Sequence, residues 1–584
     1  MLILGCTFTP AIAQAQTLTI PRQLSHLNPV QTEAALLGSD RLAQIEPNPN
    51  QDRFLQAPDD PVPETLPPDE LIITPDTDPV DPSTLDNATP LTIEGIEVSG
   101  STVFTEADFA PIVDPLIGET TLGALQQAVE QITQLYINQG YLTSRAVLPA
   151  QALGQSSVSI DVIEGSLEAI AVEGLNRLNE SYVTSRVGLG IDTPLNVNDL
   201  EDQLRLLQLD PNLDELNVAL QSGDATGTSV LKLVVDEANP FFGSAGLDNY
   251  SAASVGSTRS TANLSYRNLV GIGDVLSLDY TQTFTNGLDT WGFGYTAPLN
   301  PLNGTLNLSF TTSRNRIITS PFDLLNIRGE SESYQVSLRQ PLVRRATEEF
   351  ALSLGFTHSD GQTFVFDTIG QPFSAGAEAD GTTKTSVLRF GQDYTKRDIN
   401  GAWSLRSQFS LGTELLDATQ NSGSTPDGQF LSWLGQVARV QRLSNTNTLI
   451  IQADLQLTGD NLLSSEGFSI GGAQTLRGYR QGARNGDNGW RLTIEDRITL
   501  WQTETGQILQ IAPFFDYGVV WNNPSNPSQI TGEHVLAGLG TGILFQPIDN
   551  LALRLDFAIP LVNLSDRQED LQDDGIYFSL AYGF

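Results

Sequence analysis

Hydrophobic and polar positions change rhythm once along this chain, near residue 239. From Phe241 onward apolar residues recur at every second position. Leu276, Leu278 and Tyr280 alternate with Ser277, Asp279 and Thr281, and Leu306, Leu308 and Phe310 with Asn307, Ser309 and Thr311. Trp403, Leu405 and Phe409 share one parity, with Arg406 and Gln408 on the other. Leu449, Ile451, Ala453, Leu455 and Leu457 run opposite Gln452, Asp454 and Gln456. Successive side chains of a strand point to opposite faces, so each run predicts a strand with one apolar and one polar face. A soluble β-sandwich alternates in the same way. The connections separate the two readings. Short ones (271–274, 298–304, 345–349, 397–401, 444–447, 547–550) come in turn with long ones (about 317–330, 361–382, 416–429, 460–488, 560–573). Short turns at one end and long loops at the other are the plan of an outer-membrane barrel. Counting the runs predicts a 16-stranded antiparallel transmembrane β-barrel over residues 239–584. An even count puts both barrel ends on one side, and a barrel of this size encloses an aqueous lumen.

Upstream of residue 239 the period becomes helical. Residues 91–164 predict a strand (Leu91–Val98), a short helix (Thr105–Val113), a long helix (Leu122–Asn138) and strands Thr143–Leu148 and Ser157–Ile163. In the long helix Leu125, Ala128, Val129, Ile132, Leu135 and Tyr136 fall on one face, and Gly140 closes it as a C-terminal glycine does. Residues 165–238 repeat the order β-α-α-β-β: strand Leu167–Val172, helix Glu180–Val187, helix Asp199–Leu209, strands Leu216–Leu220 and Ser229–Val235. Two copies in tandem indicate an internal repeat.

The flanking segments differ again. Residues 46–90 are rich in Pro, Asp and Glu. They cannot bury enough apolar surface to offset the entropy of ordering, and read as a linker. Residues 17–45 hold a modest helical pattern from Thr32 to Ile45. Residues 1–16 end in an A-x-A-like cleavage site at Ala11-Ile12-Ala13 and read as a signal peptide. No basic region precedes it, so a truncated start is expected; a lipobox ending at Cys6 is the alternative.

Net charge is −39, which leaves no basic face for nucleic acid. Cys6 is the single cysteine, so no intrachain disulfide or cysteine metal site can form. His26, His358 and His534 show no ligand spacing. P-loop, GxSxG, HExxH and CxxC patterns are absent. The expectation is no enzyme, no catalytic residue, no metal and no cofactor.

Three stretches carry more specific information. Leu476-Arg477-Gly478-Tyr479 lies in the connection between predicted strands eleven and twelve. Phe514-Phe515-Asp516-Tyr517-Gly518 lies in a later strand, and parity places Asp516 on the luminal face with Gln510, Ala512 and Gly518. Gln139-Gly140-Tyr141-Leu142 is followed by Arg145 and Pro149. Together these resemble the outer-membrane protein translocators that join POTRA (polypeptide-transport-associated) repeats to a barrel. Within them the chain is most similar to the hemolysin-activator type of two-partner secretion transporter. The resemblance implies POTRA 1 at 91–164, with Gly140, Tyr141, Arg145 and Pro149 as its motif, and POTRA 2 at 165–238. It implies a pore-loop motif at Leu476, Arg477, Gly478 and Tyr479, and a strand partner that locks the loop at Asp516, with Phe514 and Gly518. It implies a pore plug for the helical pattern in 17–45, for which a marginal helix in a loose N-terminal segment is the alternative. The ending at Phe578, Leu580, Tyr582 and Phe584 is similar to the signal read by the barrel-insertion machinery.

The implied function is an outer-membrane pore, set in lipid and acting as a monomer. It recognises an extended exoprotein in the periplasm through the POTRA repeats and secretes it to the cell surface without nucleotide hydrolysis. Passive POTRA spacers are the alternative for the repeats; a barrel insertase of the same superfamily, and a plain porin, are the alternatives for the whole chain. One irregularity stands out: Asp496 shares the apolar parity of Leu492, Ile494 and Ile498, which calls for a place near the membrane rim or a break in parity.

Overall fold

A computed structural model describes residues 90–584 apart from 150–156, 321, 504–505, 529, 531 and 568–569. The expected signal peptide, plug helix and linker lie outside the described residues, except that Pro90 opens the first strand. The chain forms two compact units, divided at Ala238/Asn239.

The N-terminal unit contains the two repeats. In the first, β1 (Pro90–Ile93), β2 (Gly95–Ser99), β3 (Gly118–Thr121), β4 (Arg145–Val147) and β5 (Ser157–Ile163) surround helices Glu106–Val113 and Leu122–Asn138. The single strand expected over Leu91–Val98 is split at Glu94, because β1 leaves the main sheet to pair with β3. In the second repeat, β6 (Ser166–Glu173), β7 (Leu213–Ser222) and β8 (Thr228–Glu237) carry helices Glu180–Val187 and Val197–Gln208. Both three-stranded sheets have the same topology. The orders are β2-β5-β4 and β6-β8-β7, with the first neighbour pair parallel and the other antiparallel.

The repeats share a second device. In each, a glutamate at the end of the last strand accepts hydrogen bonds from backbone N–H groups of the strand-to-helix loop. Glu164 binds Thr102 N at 2.7 Å and Val103 N at 3.3 Å. Glu237 binds the N–H groups of Asn176, Arg177 and Leu178, each at 2.8 Å. The repeats also interlock. The C-terminal turn of helix Leu122–Asn138 places Gly140 (φ +91°) against Asn196 and Asn198, where a Cβ would come within 2.4 Å of the Asn198 side chain. Val197 N–H donates to the Gly140 carbonyl at 2.9 Å.

The second unit is a closed antiparallel barrel. Its strands are β9 (Phe241–Asp248), β10 (Arg259–Arg267), β11 (Val275–Thr283), β12 (Leu288–Pro298), β13 (Thr305–Arg316), β14 (Arg328–Arg344) and β15 (Glu348–Val365). After the two-residue β16 (Ile369–Gly370) come β17 (Thr382–Asp398), β18 (Gly401–Gly412), β19 (Leu431–Arg442) and β20 (Asn447–Thr458). Short strands β21 (Phe468–Ile470) and β22 (Arg484–Gly486) lie within the next connection. Then β23 (Asn488–Gln502), β24 (Ile508–Trp521), β25 (Val535–Ile548), β26 (Leu551–Pro560) and β27 (Ile576–Gly583) follow, and β27 pairs with β9. Without the short β16, β21 and β22, this is the expected sixteen. The alternation of long and short connections is not strict. The β11–β12 link at the long-loop end is the tight turn 284–287, and the first five residues of the 361–382 connection belong to β15.

The outer face marks the membrane. Near the long-loop end Tyr280, Trp291, Phe310 and Tyr334 form an outward aromatic band, with ring pairs at 4.3 and 4.9 Å. The next outward row is charged: Glu332 lies opposite Asp360, and Asp360 opposite Lys384. At the short-turn end Arg439 stacks on Trp403 at 5.2 Å, in register with Lys396. Along β17, from Ser386 to Lys396 is ten residues (396 − 386). That is about 33 Å of strand and about 25 Å of depth at the usual tilt of ~40°, the height of a barrel's apolar band. Asp496 is resolved by the same rows. It lies opposite Leu449, which lies opposite Gln441, two residues beyond Arg439. It faces outward in the polar rim of the short-turn end.

In both repeats the bonds to the glutamate favour its charged carboxylate. Burial works to raise the Glu164 carboxyl, but bonds from the Thr102 hydroxyl and backbone, Tyr136 and Val103 outweigh it and hold it below the ordinary value. Burial of Glu237 is likewise outweighed by the Leu178, Arg177 and Asn176 amides and the Arg177 charge. A depressed carboxyl pKa stabilises the fold fully above the ordinary glutamate value of about 4.3 and loses that stabilisation as pH falls through the lower folded value. Glu237→Gln in a fragment of residues 91–238 is expected to cost about 1–3 kcal/mol at pH 7. The gap to wild type should narrow below pH ~4, which urea unfolding at the two pH values measures.

Candidate functional site

The connection between β20 and β23, residues 459–487, does not stay outside the barrel. β21 and β22 pair as a short ribbon and carry the tip, Gly471–Ala483, into the lumen. The tip is held there by both apolar packing and charge.

The apolar part is a cluster of Leu434, Phe468, Ile470, Leu476, Tyr479, Val520, Leu536 and Leu564. Leu476 is fully buried and seats over Gly518, where an added Cβ would lie 3.0 Å from its methyl group. The Tyr479 hydroxyl donates to the Ala537 carbonyl at 2.7 Å and accepts from Val562 N–H at 3.2 Å, where β25 and β26 part. Between them Gly478 has φ +102°, in the left-handed region that glycine tolerates. A side chain there would also press on Pro560.

The charged part centres on Arg477. Its guanidinium meets Asp516 through two parallel bonds, Nε–Oδ2 at 2.7 Å and Nη2–Oδ1 at 3.0 Å. Its own backbone N–H donates to the same carboxylate at 3.0 Å. Nη1 reaches Glu495 at 2.6 Å, and the guanidinium stacks 3.3 Å from the Phe514 ring centre. Glu495 also binds Arg554 at 2.6 Å and Arg497 at 2.9 Å, and Arg554 binds Asp556 at 2.7 Å. Charges balance across Arg477, Arg497 and Arg554 against Glu495, Asp516 and Asp556. Arg477 and Asp516 side chains are 5% and 1% exposed, so the pair is dry. A buried pair needs this geometry: its attraction offsets desolvation only when the remaining bonding sites are satisfied.

Above this layer Arg480 and Arg484 converge on Asp566 at 2.6 and 3.0 Å, and Arg484 also reaches Glu533 at 3.1 Å. Asp566 belongs to the last long loop. Partial burial pushes its carboxyl up, but Arg484 and Arg480 outweigh that and hold it below the usual range.

The structure thus brings Leu476, Arg477, Gly478 and Tyr479 together with Phe514, Asp516 and Gly518. Each member of the strand motif touches the loop: Phe514 by stacking, Asp516 by ion pairing, Gly518 by leaving room. The other expected site residues are elsewhere. Gly140 and Tyr141 pack within the repeats, Arg145 is exposed on β4, and Pro149 is half-buried beside the undescribed 150–156. Phe578, Leu580, Tyr582 and Phe584 line the outer face of β27, and the Phe584 and Phe241 rings lie 6.0 Å apart. Glu495, Arg554 and Asp556 were missed. Arg554 and Asp556 did leave a signal: two charges at i, i+2 opposite Leu553, Leu555 and Phe557. Among the described residues no cluster of three or more His, Cys, Asp or Glu is arranged to hold a metal ion.

Comparison with known proteins gives this geometry a context. Residues 227–545 match the model of the haemolysin secretion/activation protein family ShlB/FhaC/HecB, and residues 91–165 match the POTRA domain, ShlB-type. The chain belongs to this family. The outer membrane transporter CdiB of Escherichia coli is 26% identical over 465 residues, covering 77% of this chain and 76% of that protein. The heme/hemopexin transporter protein HuxB of Haemophilus influenzae is 24% identical over 507 residues, covering 83% and 86%. The solved structure of Escherichia coli CdiB superposes with a TM-score of 0.66 at 22% identity, covering 87% of this chain and 93% of that one. As a member of the ShlB/FhaC/HecB family the chain is an outer-membrane transporter of two-partner secretion, with its POTRA repeats in the periplasm and a secreted exoprotein as partner. The long-loop end of the barrel is therefore the cell-surface end.

Removing one charge from the Arg477–Asp516 pair leaves the other buried and uncompensated, at a cost of about 3–5 kcal/mol. Arg477→Ala and Asp516→Ala are each expected to release residues 470–484 to protease while the barrel keeps its heat-dependent gel shift. The double variant should be little worse than either single, because both lose the same interaction. Arg477→Lys should restore little, since an ammonium cannot fork to one carboxylate, reach Glu495 and stack on Phe514 together.

Proposed function

We propose that residues 459–487 are the reversible closure of a secretion pore, and that the POTRA repeats receive the exoprotein as an extended chain. The observation that carries the first part is the non-covalent seat of the loop tip. It occupies the lumen through ion pairs, hydrogen bonds and one apolar cluster, all of which can be exchanged for contacts with a passing chain. Arg477 and Asp516 form the lock, Phe514 and Gly518 shape its strand side, and residues 17–45 add a second obstruction. For the second part, among the described residues neither edge strand of each POTRA sheet has a second ladder partner, and β7, ten residues long, presents Asn217, Ala219 and Gln221 to solvent. A free edge accepts an added strand through backbone hydrogen bonds, which suits many sequences. The transporter works as a monomer. Phe578, Leu580, Tyr582 and Phe584 on the closing strand are what the barrel-insertion machinery reads during biogenesis. Folding of the exoprotein at the cell surface supplies the driving force.

Deleting residues 460–488 is expected to raise single-channel conductance in planar bilayers and to abolish secretion. Deleting 21–45 should raise conductance with a smaller loss of secretion. Unchanged conductance in both would remove the closure reading.

A fragment of residues 91–238 should bind the unfolded N-terminal segment of the exoprotein, with slowed amide exchange along a sheet edge. If no exoprotein segment binds, the repeats are passive spacers.

A further inference from the structure

The last strand and the loop before it hold the tip of the pore loop and close the barrel at the same time. Tyr577 on β27 is fully buried. Its hydroxyl accepts from the backbone N–H groups of Gly478 and Tyr479, both at 2.8 Å, and donates to the Tyr479 carbonyl at 2.7 Å. Backbone polar groups in a buried turn must find partners, and one hydroxyl meets three of them. Gln572 is also fully buried. Its Oε1 accepts from Gln481 N–H at 2.8 Å, while its Nε2 donates to the carbonyls of Ser251, at 2.7 Å, and Asn249. Asn249 and Ser251 directly follow β9, the first strand.

The junction they reach is the barrel's seam. β27 and β9 share five residue pairs, from Ser579↔Asp248 to Gly583↔Ser244. Their other neighbours share more, seven for β26–β27 and eight for β9–β10. Beyond Ser579↔Asp248 the Asn249 backbone N–H donates to the Phe578 carbonyl at 3.2 Å, and the Asn249 carboxamide adds two bonds to it. Oδ1 accepts from Phe578 N–H and Nδ2 donates to the Ile576 carbonyl, both at 2.9 Å. The surface end of the seam is therefore fastened by one backbone bond and the Asn249 side chain, and the glutamine that steadies Asn249 also grips the pore loop.

We propose that Tyr577 and Gln572 are positioning residues that couple the seat of the pore loop to closure of the β9–β27 seam. When the loop leaves, Gln572 Oε1 and the Tyr577 hydroxyl lose buried partners, which costs free energy until the surrounding chain rearranges. The segment that rearranges is the surface end of the seam, 249–251 and 576–578, beyond the last β9–β27 residue pair. The lumen then gains give at its surface end only when the loop has moved. This rests on the closure reading above.

The test is hydrogen exchange on the full-length chain in detergent or bilayer, with the folded barrel verified by its heat-dependent gel shift. Arg477→Ala frees the loop through β23, β24 and β26 without touching the seam. Exchange at 478–481 is expected to rise, and exchange at 249–251 and 576–578 to rise with it by about tenfold, the worth of one or two hydrogen bonds. Tyr577→Phe, which removes only the hydroxyl, should give the same paired rise. A freed loop with wild-type exchange at the seam in Arg477→Ala overturns the coupling. So does Tyr577→Phe with 478–481 as protected as in wild type. If Arg477→Ala leaves 478–481 protected, the ion-pair seat has failed rather than the coupling, and Tyr577→Phe decides the coupling alone. Because exchange is read at the seam itself, a failure of coupling is told apart from a failure of the closure reading, which conductance reports.

Discussion

The buried charge of Arg477 constrains everything around it. A guanidinium removed from water has to be paired on several sides, and few backbone arrangements provide that. Here Asp516 takes two of its bonds, Glu495 a third, and the Phe514 ring one face. Glu495 in turn needs Arg554 and Arg497, and Arg554 needs Asp556. The requirement therefore spreads from one loop residue to strands β23, β24 and β26. Glycine at 478 and 518 follows from the same constraint, because the loop backbone must approach the wall closely enough for the forked contact.

Such an arrangement suits a part that must both hold and let go. Apolar packing alone is non-directional and would tolerate sliding. The forked ion pair has one good geometry, so the loop has one seat. A lumen that admits water as the loop moves lowers the cost of the separated charges, since hydration replaces the lost partners. The seat is strong while dry and weakens once wet. The bonds of Tyr577 and Gln572 extend this logic to the seam, where the first and last strands share a short ladder that the Asn249 side chain extends.

The repeats show a different economy. Each has its own buried apolar core, and each fastens its strand-to-helix loop with a glutamate that collects backbone N–H groups. Gly140, which sequence alone presents as a helix stop, is also the point where the first repeat seats on Asn196 and Asn198 of the second.

Much of this was written in periodicity. Side chains alternate across a strand and recur every third or fourth position along a helix, so the barrel strands, the two repeats and the luminal parity of Asp516 were legible from local pattern. So was the pairing of two motifs, through their resemblance to a family. Periodicity does not carry distance between remote segments. It could not show that Arg554 and Asp556 on β26 join Glu495 on β23, or that Tyr577, hidden between outward-facing Ile576 and Phe578, bonds a loop about a hundred residues earlier. Those contacts depend on which strands closure of the barrel brings together and on how far a loop folds inward, and only the tertiary structure decides that.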